Sequence, residues 1–230
     1  MVRLAAVLLG LVAALLGAPA RGQEQKLDLA LVLSIDSSRS IDDEEFELQR
    51  AGYAAAFRNP RVIDAIRSGP AGAIAVTYVQ WSGARTQEQV VEWTTIRDDE
   101  GAWIFADRIQ TTERRIDGGS TSISGAIDFS ARLLARSGLD ARRRVIDVSG
   151  DGVNNNGRLP HFARDDAVAA GITVNGLVLL GEEPLLDRYY TANVIGGAGA
   201  FVTAVADIDG FAEAILDKLI REIAELPGAR

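Results

Sequence analysis

Four mostly apolar runs lie along this chain, at residues 27–35, 73–81, 145–149 and 172–180. None of them has the strict polar alternation of a strand with one solvent-facing side. Such runs are typical of parallel strands that helices cover on both faces. A shorter strand is predicted over residues 200–205. The chain therefore contains the strands of a buried, mostly parallel sheet.

Segments with helical spacing separate these strands. The segment from Asp42 begins with acidic residues, which the helix dipole favours in a first turn. Further helices are predicted over residues 98–110, 160–170 and 184–193, and from residue 122. In the 98–110 helix, Trp103 and Ile104 are expected on the inner side. The last predicted helix, from Asp207 to about Leu226, has an apolar residue every four positions: Phe211, Ile215, Leu219 and Ile223.

Residues 87–96 differ from the other strands because apolar and polar residues alternate there. Alternation of period two predicts a half-exposed strand, and a short link from the preceding run predicts antiparallel pairing. The fold class is therefore α/β: a Rossmann-like, doubly wound, mostly parallel sheet with one antiparallel edge strand and helices on both faces. One domain is expected over residues 27–226.

The N-terminus has the features of a secretory signal peptide over residues 1–22. Arg3 precedes an apolar stretch at residues 4–16, and small residues follow at Ala18-Pro19-Ala20. An uncleaved N-terminal anchor is the alternative. Because no later stretch is long and apolar enough to span a membrane, we expect a periplasmic or secreted protein with no membrane span after cleavage.

The composition of the 230-residue chain excludes several kinds of site. With no cysteine, it has neither thiolate sites nor disulfides, and its single histidine, His161, rules out a histidine-rich metal cage. A net charge of −8 disfavours nucleic acid as a partner. Lys26 and Lys218 are the two lysines of the sequence.

Oxygen-bearing side chains follow three of the predicted elements. Asp36, Ser38 and Ser40 come directly after the first strand, Thr121 precedes a helix, and Asp151 follows the strand at 145–149. Taken singly, each has an ordinary explanation, since serines cap helices and Asp-Gly makes turns. Taken together, they predict one site for a hard divalent cation: Mg²⁺, with Mn²⁺ or Ca²⁺ as alternatives.

This arrangement resembles a known family. Asp36-x-Ser38-x-Ser40, Thr121 within Gly-Gly-Ser-Thr, and Asp151-Gly152 are similar to the metal-ion-dependent adhesion site (MIDAS) of von Willebrand factor type A domains. The resemblance extends from about residue 27 to residue 225. More narrowly, a short secreted form with Gly-Asp-Gly-Val-Asn-Asn-Asn-Gly resembles the bacterial DUF1194 family.

The resemblance implies a function as well as a fold. The hydroxyls of Ser38, Ser40 and Thr121 would bind the metal directly, and Asp36 and Asp151 would bind it directly or through water. A carboxylate from a protein partner would complete the coordination. The chain would then be a metal-dependent, adhesion-type protein-binding module, and not an enzyme.

Two catalytic alternatives use the same residues. In a haloacid-dehalogenase-like, Mg²⁺-dependent phosphatase, Asp36 would be the nucleophile, but Ser38 stands where a second acid is usual. No lysine lies between Asp36 and Asp151 to offset phosphate charge, and arginine is a poor replacement. A serine hydrolase would need a G-x-S-x-G turn, which the sequence lacks. The run at residues 154–156, three asparagines, is interpreted as a solvated loop that shares in the recognition rim.

Overall fold

The computed structural model describes residues 27–181, 183–206 and 210–224. The predicted signal peptide, and the predicted ends of the last helix at Asp207 and Leu226, lie outside these residues. None of the helices in the described part of the chain combines the length and apolar character that crossing a bilayer requires.

The elements in chain order are β1 (Leu27–Asp36), α1 (Asp43–Arg58), α2 (Pro60–Ser68), β2 (Ile74–Trp81), β3 (Gln87–Ile96), α3 (Asp99–Thr111), α4 (Ile123–Arg136), β4 (Ala141–Gly150), α5 (Pro160–Ala169), β5 (Thr173–Leu179), α6 (Leu186–Asn193), β6 (Val202–Val205) and α7 (Phe211–Ala224).

The strands form one sheet in the order β3-β2-β1-β4-β5-β6. β1 pairs in parallel with both β2 and β4, and β5 and β6 continue the parallel part. β3 runs antiparallel beside β2 at one edge. The chain therefore winds outward from β1 to β3 and then returns to the other side of β1 with β4. This confirms the predicted fold class.

Two helical layers explain why the core strands have no polar face. In β1, Leu29, Leu31 and Leu33 belong to the apolar cluster that contains residues of α1, α2, α3 and α7. The intervening Ala30 and Val32 belong to the opposite cluster, with residues of α4, α5 and α6. Because side chains alternate along a strand, burial on both sides favours apolar residues at successive positions.

The inner face of α3 differs from the prediction. Trp103 and Ile104 are 57% and 43% exposed, so the expectation that they face the core was wrong. The buried positions of this helix are Ala102, Phe105, Ala106 and Ile109, which follow the three- and four-residue spacing of one helical face. The Phe105 ring packs edge-on against the ring of Phe57, with centroids 4.8 Å apart.

A buried ion cluster lies between α7 and the sheet. The Lys218 ammonium is 2.6 Å from Asp147 Oδ1 and 2.5 Å from Glu222 Oε1, and Asn175 Nδ2 donates to the same Glu222 oxygen at 2.9 Å. The contact with Asp147 is an ion pair and not an aligned hydrogen bond. All four residues are buried. The cluster therefore places two carboxylates and one ammonium inside the domain.

Burial and the neighbouring charges decide the protonation of this cluster. Burial, followed by the charge of Asp147, raises the pKa of Glu222 to about 7. For Lys218, burial acts to lower the pKa, but the carboxylates of Asp147 and Glu222 outweigh it and raise the pKa above its ordinary value. Lys218 therefore stays charged, and the proton on Glu222 is the one that leaves near neutral pH.

Candidate metal centre

The strand order reverses between β1 and β4. In open α/β sheets, ligands bind at the carboxyl ends of the strands at such a reversal. Because Ile35 pairs with Ser149, β1 and β4 end side by side. Three loops meet at this edge of the sheet, and we call them loop 1 (residues 37–42), loop 2 (residues 112–122) and loop 3 (residues 151–159).

The structure brings all five predicted site residues together. Asp36 Oδ1 accepts a hydrogen bond from the Ser38 amide at 2.7 Å. The Ser38 hydroxyl lies 3.4 Å from that of Ser40 and accepts from Thr121 Oγ1 at 3.3 Å. Ser40 Oγ donates to Asp151 Oδ1 at 2.8 Å. One network of polar contacts therefore joins the end of β1 to all three loops.

Asp36 is the most unusual member of this network. Its side chain is fully buried, and its Oδ2 has no hydrogen-bond partner within the described residues. Burial, followed by the charge of Asp151, raises the pKa of Asp36 to about 8. An ionised carboxylate is costly to bury without a counter-charge. A cation beside Asp36 would offset the cost of ionising it.

The donor set of the five residues fits a hard divalent cation. It consists of two carboxylates and three hydroxyls, with no nitrogen or sulfur, and such ligands suit Mg²⁺, Mn²⁺ or Ca²⁺. The unpaired Oδ2 of Asp36 and the close hydroxyl contacts are the observations that support the fit. That these residues ligate a metal stays a prediction.

The three asparagines of loop 3 hold it against loop 2, the first turn of α4 and the link between β2 and β3. The Thr121 amide donates to Asn155 Oδ1 at 2.9 Å, and the Asn155 amide donates to the Thr121 carbonyl at 2.9 Å. Asn154 Oδ1 accepts from the Ser124 amide at 3.2 Å, and Asn156 Oδ1 accepts from the Ala84 amide at 2.8 Å. The interpretation of this run as a solvated loop therefore missed its structural role, because these side-chain oxygens bind backbone amides.

Tyr190, on α6, is a residue that the sequence did not point to. Its side chain is buried, and its hydroxyl has no hydrogen-bond partner within the described residues. A Cβ atom on Gly150 would lie 2.7 Å from this hydroxyl and 3.2 Å from Asp36 Oδ2. Burial, followed by the charge of Asp36, raises the pKa of Tyr190, so the phenol remains a neutral donor near the site. Gly150 thus leaves the space in which Tyr190 and Asp36 approach each other.

We expect Gly150→Ala to destabilise the domain by about 1–3 kcal/mol, because the added methyl group would overlap the Tyr190 hydroxyl. Gly152→Ala is the matched control, since a Cβ there would meet no atom within 4 Å. Chemical denaturation of the two variants checks the prediction. Equal free energies of unfolding for both would contradict it.

A groove of about 510 Å³ opens beside the five residues. Ser40, Thr121 and Asp151 line one part of it, and Val153 of loop 3 and Val205 at the end of β6 line another. The groove therefore runs from the candidate metal position toward the ends of β5 and β6. It leaves the site accessible from outside.

The residues that a phosphatase would need are placed differently. Lys218, the single lysine among the described residues, is buried with Asp147 and Glu222 under α7. It is therefore already paired with two carboxylates. Ser38, at the position of the second acid, contributes a hydroxyl to the network.

Comparison with known sequences identifies a family. A family model described as protein of unknown function (DUF1194) matches residues 26–227, which is most of the chain. Among proteins with curated descriptions, none matches the sequence significantly.

Solved structures with the same fold come from several sources. Proximal thread matrix protein 1 (PTMP1) from the mussel byssus has a TM-score of 0.62 at 15% identity, over 87% of this chain and 48% of that one. The vWF domain of the type V pili tip protein Mfa5 from Porphyromonas gingivalis has a TM-score of 0.60 at 10% identity, over 89% and 98% of the two chains. A von Willebrand factor type A structure from Catenulispora acidiphila has a TM-score of 0.57 at 14% identity, over 86% and 43%.

These similarities show a von Willebrand factor type A-like fold. At such low identity they concern the fold alone, and this chain spans about half the length of the mussel protein. Another structure of the mussel protein has a MIDAS motif occupied by zinc, with a TM-score of 0.58 at 15% identity over 87% of this chain and 48% of that one.

Proposed function

We propose that this chain, which belongs to the DUF1194 family of proteins of unknown function, is a protein-binding module that depends on a divalent cation. The observation that carries the proposal is the network of Asp36, Ser38, Ser40, Thr121 and Asp151 at the sheet reversal. Its buried, unpaired Asp36 oxygen is best explained by a cation. The module would act by binding, without catalysis.

The cation would be Mg²⁺, with Mn²⁺ or Ca²⁺ as alternatives. The three hydroxyls would bind it directly, and Asp36 and Asp151 would balance its charge. Five oxygen ligands leave one position of an octahedral divalent cation open for an oxygen ligand from the partner. The zinc-occupied MIDAS motif of the mussel protein supports a divalent cation in this fold.

The partner would be a protein that supplies an acidic residue to the metal. The open groove beside the site would give such a residue access. The net charge of −8 makes nucleic acid an unfavourable partner. A periplasmic or secreted location would follow from the predicted signal peptide, and the pilus-tip neighbour is consistent with it.

We expect millimolar Mg²⁺ to raise the melting temperature of the protein relative to the same sample in chelator. A ligand present at 100 times its Kd contributes about 2.7 kcal/mol. Asp36→Asn should abolish this response without destabilising the metal-free protein, because the substitution removes a carboxylate whose burial is unfavourable. Asp151→Asn should also abolish the response.

Asp117→Asn is the matched control, since Asp117 is an exposed carboxylate of loop 2 outside the five-residue network. It should keep the full response to Mg²⁺. An unchanged wild-type melting temperature across millimolar Mg²⁺, Mn²⁺ and Ca²⁺ would overturn the proposed function. Turnover of p-nitrophenyl phosphate by the wild type, lost in Asp36→Asn, would instead support the phosphatase alternative.

A further inference from the structure

Arg114, in loop 2, reaches across to the backbone of loop 1. Its Nη2 donates to the carbonyl of Ile41 at 2.7 Å, and lies 3.3 Å and 3.4 Å from the carbonyls of Ser37 and Ser38. Ser37 precedes and Ile41 follows the segment that carries the Ser38 and Ser40 hydroxyls, and the third carbonyl belongs to Ser38 itself. One guanidinium therefore holds the chain on both sides of two of the predicted metal ligands.

The backbone around Arg114 is itself anchored to the sheet. Gln80, near the end of β2, is fully buried. Its Oε1 accepts from the amides of Arg115 and Ile116 at 2.7 Å and 3.3 Å, and its Nε2 donates to the Glu113 carbonyl at 2.9 Å. Arg114 thus extends from a segment that the sheet holds in place, and it can transmit that position to loop 1.

The remaining contacts of Arg114 fix the orientation of its guanidinium plane. Its Nε donates to the Ile116 carbonyl at 3.2 Å, and the group lies 5.5 Å from the centre of the Phe46 ring. Its ion pair with Asp43 involves a side chain that is 95% exposed, and exposed pairs contribute little to stability. The contacts with the loop 1 carbonyls are therefore the distinctive feature of this arginine.

We propose that Arg114 is the positioning residue of the metal centre, which sets the spacing of the Ser38 and Ser40 hydroxyls and ties loop 1 to the loop that carries Thr121. This inference rests on the proposed function, because it concerns the same site. A planar guanidinium can donate in several directions from one rigid group, whereas a lysine donates from a single nitrogen. The geometry therefore requires arginine and not only a positive charge.

Removal of a group that orients metal ligands typically lowers metal affinity about 10- to 100-fold. We expect Arg114→Ala to weaken Mn²⁺ binding by this factor. Isothermal titration calorimetry measures the affinity, and electron paramagnetic resonance of bound Mn²⁺ reports the coordination at saturation. Arg114→Lys keeps the charge and should still bind Mn²⁺ at least several-fold more weakly than the wild type, with an altered spectrum.

Arg50→Ala provides the matched control. Arg50 also bridges α1 and loop 2, since its Nη1 donates to the Thr112 carbonyl at 2.8 Å, and its side chain is 16% exposed against 13% for Arg114. It has no contact with the loop 1 carbonyls among its described hydrogen bonds. We expect Arg50→Ala to lower the melting temperature while its Mn²⁺ affinity stays within about twofold of the wild type.

Each outcome separates the positioning role from the proposed function. If the wild type binds Mn²⁺ and Arg114→Ala binds it equally well, the positioning role is wrong and the metal site stands. Full recovery of affinity in Arg114→Lys, or equal weakening in Arg50→Ala, would also overturn the positioning role. A wild type that binds no Mn²⁺ would overturn the proposed function itself. If Arg114→Ala does not fold, the lysine variant carries the test.

Discussion

Replacing Lys218 with methionine is expected to destabilise the domain by about 3–5 kcal/mol, because it removes the cation from a buried cluster that contains two carboxylates. Asp147 and Glu222 would then face each other inside the protein without a counter-charge. Methionine has a similar length and fills the same space, so the loss of stability measures the effect of the missing charge and not that of a cavity. Chemical denaturation at pH 7.5 measures it.

Arg61→Met is the control for the loss of an ion pair as such. Arg61 contacts Asp217 at 3.1 Å, but the two side chains are 62% and 59% exposed. Water solvates both groups there, so we expect a change of less than about 1 kcal/mol. A Lys218→Met variant that is as stable as Arg61→Met would show that the cluster contributes no more than a surface pair.

Replacing Glu222 with glutamine is expected to remove part of the decrease in stability between pH 5 and pH 8.5, while the part caused by Asp36, whose pKa is raised to about 8, remains. The Glu222 pKa is raised from 4.5 to about 7 in the folded protein, so the folded state holds this proton more tightly than the unfolded state. The resulting stabilisation is fully present below the unfolded pKa and is lost as pH rises through about 7. For one such group the loss between pH 5 and pH 8.5 is about 2–3 kcal/mol.

The free energy of unfolding, measured by denaturation across this pH range, checks the prediction. The stability of Glu222→Gln relative to the wild type should increase as pH rises, because its neutral amide does not ionise inside the protein. Glu213→Gln, at an exposed position of the same helix, should follow the wild-type profile. Parallel profiles for Glu222→Gln and the wild type would mean that Glu222 does not contribute to this pH dependence.

Part of the candidate site could be predicted from the sequence. Asp36 ends β1 and Asp151 follows β4, and parallel strands bring their carboxyl ends to one edge, so the proximity of these two residues could be predicted. The contacts that hold the loops together could not. Arg114 binds loop 1 more than 70 residues away along the chain, and Asn155 of loop 3 binds loop 2 at a separation of 34 residues. No local pattern encodes such contacts, because each is made between loops without periodicity.

In α7, too, the sequence predicted the apolar buried face but not the buried charges. The four-residue spacing of Phe211, Ile215, Leu219 and Ile223 correctly identified the buried face of α7. Lys218 and Glu222 adjoin that stripe, where charged side chains usually extend toward water.

The sequence by itself determined the sheet, its antiparallel edge strand and the edge on which the site residues meet, because apolar periodicity and the lengths of the connections can be read along the chain. Only the tertiary structure decided which charged groups are buried. The burial of Lys218 and Glu222 becomes tolerable through Asp147 of β4 and Asn175 of β5, which lie far away along the chain. A charge is stable inside a protein when folding brings it a partner, and that depends on packing between elements.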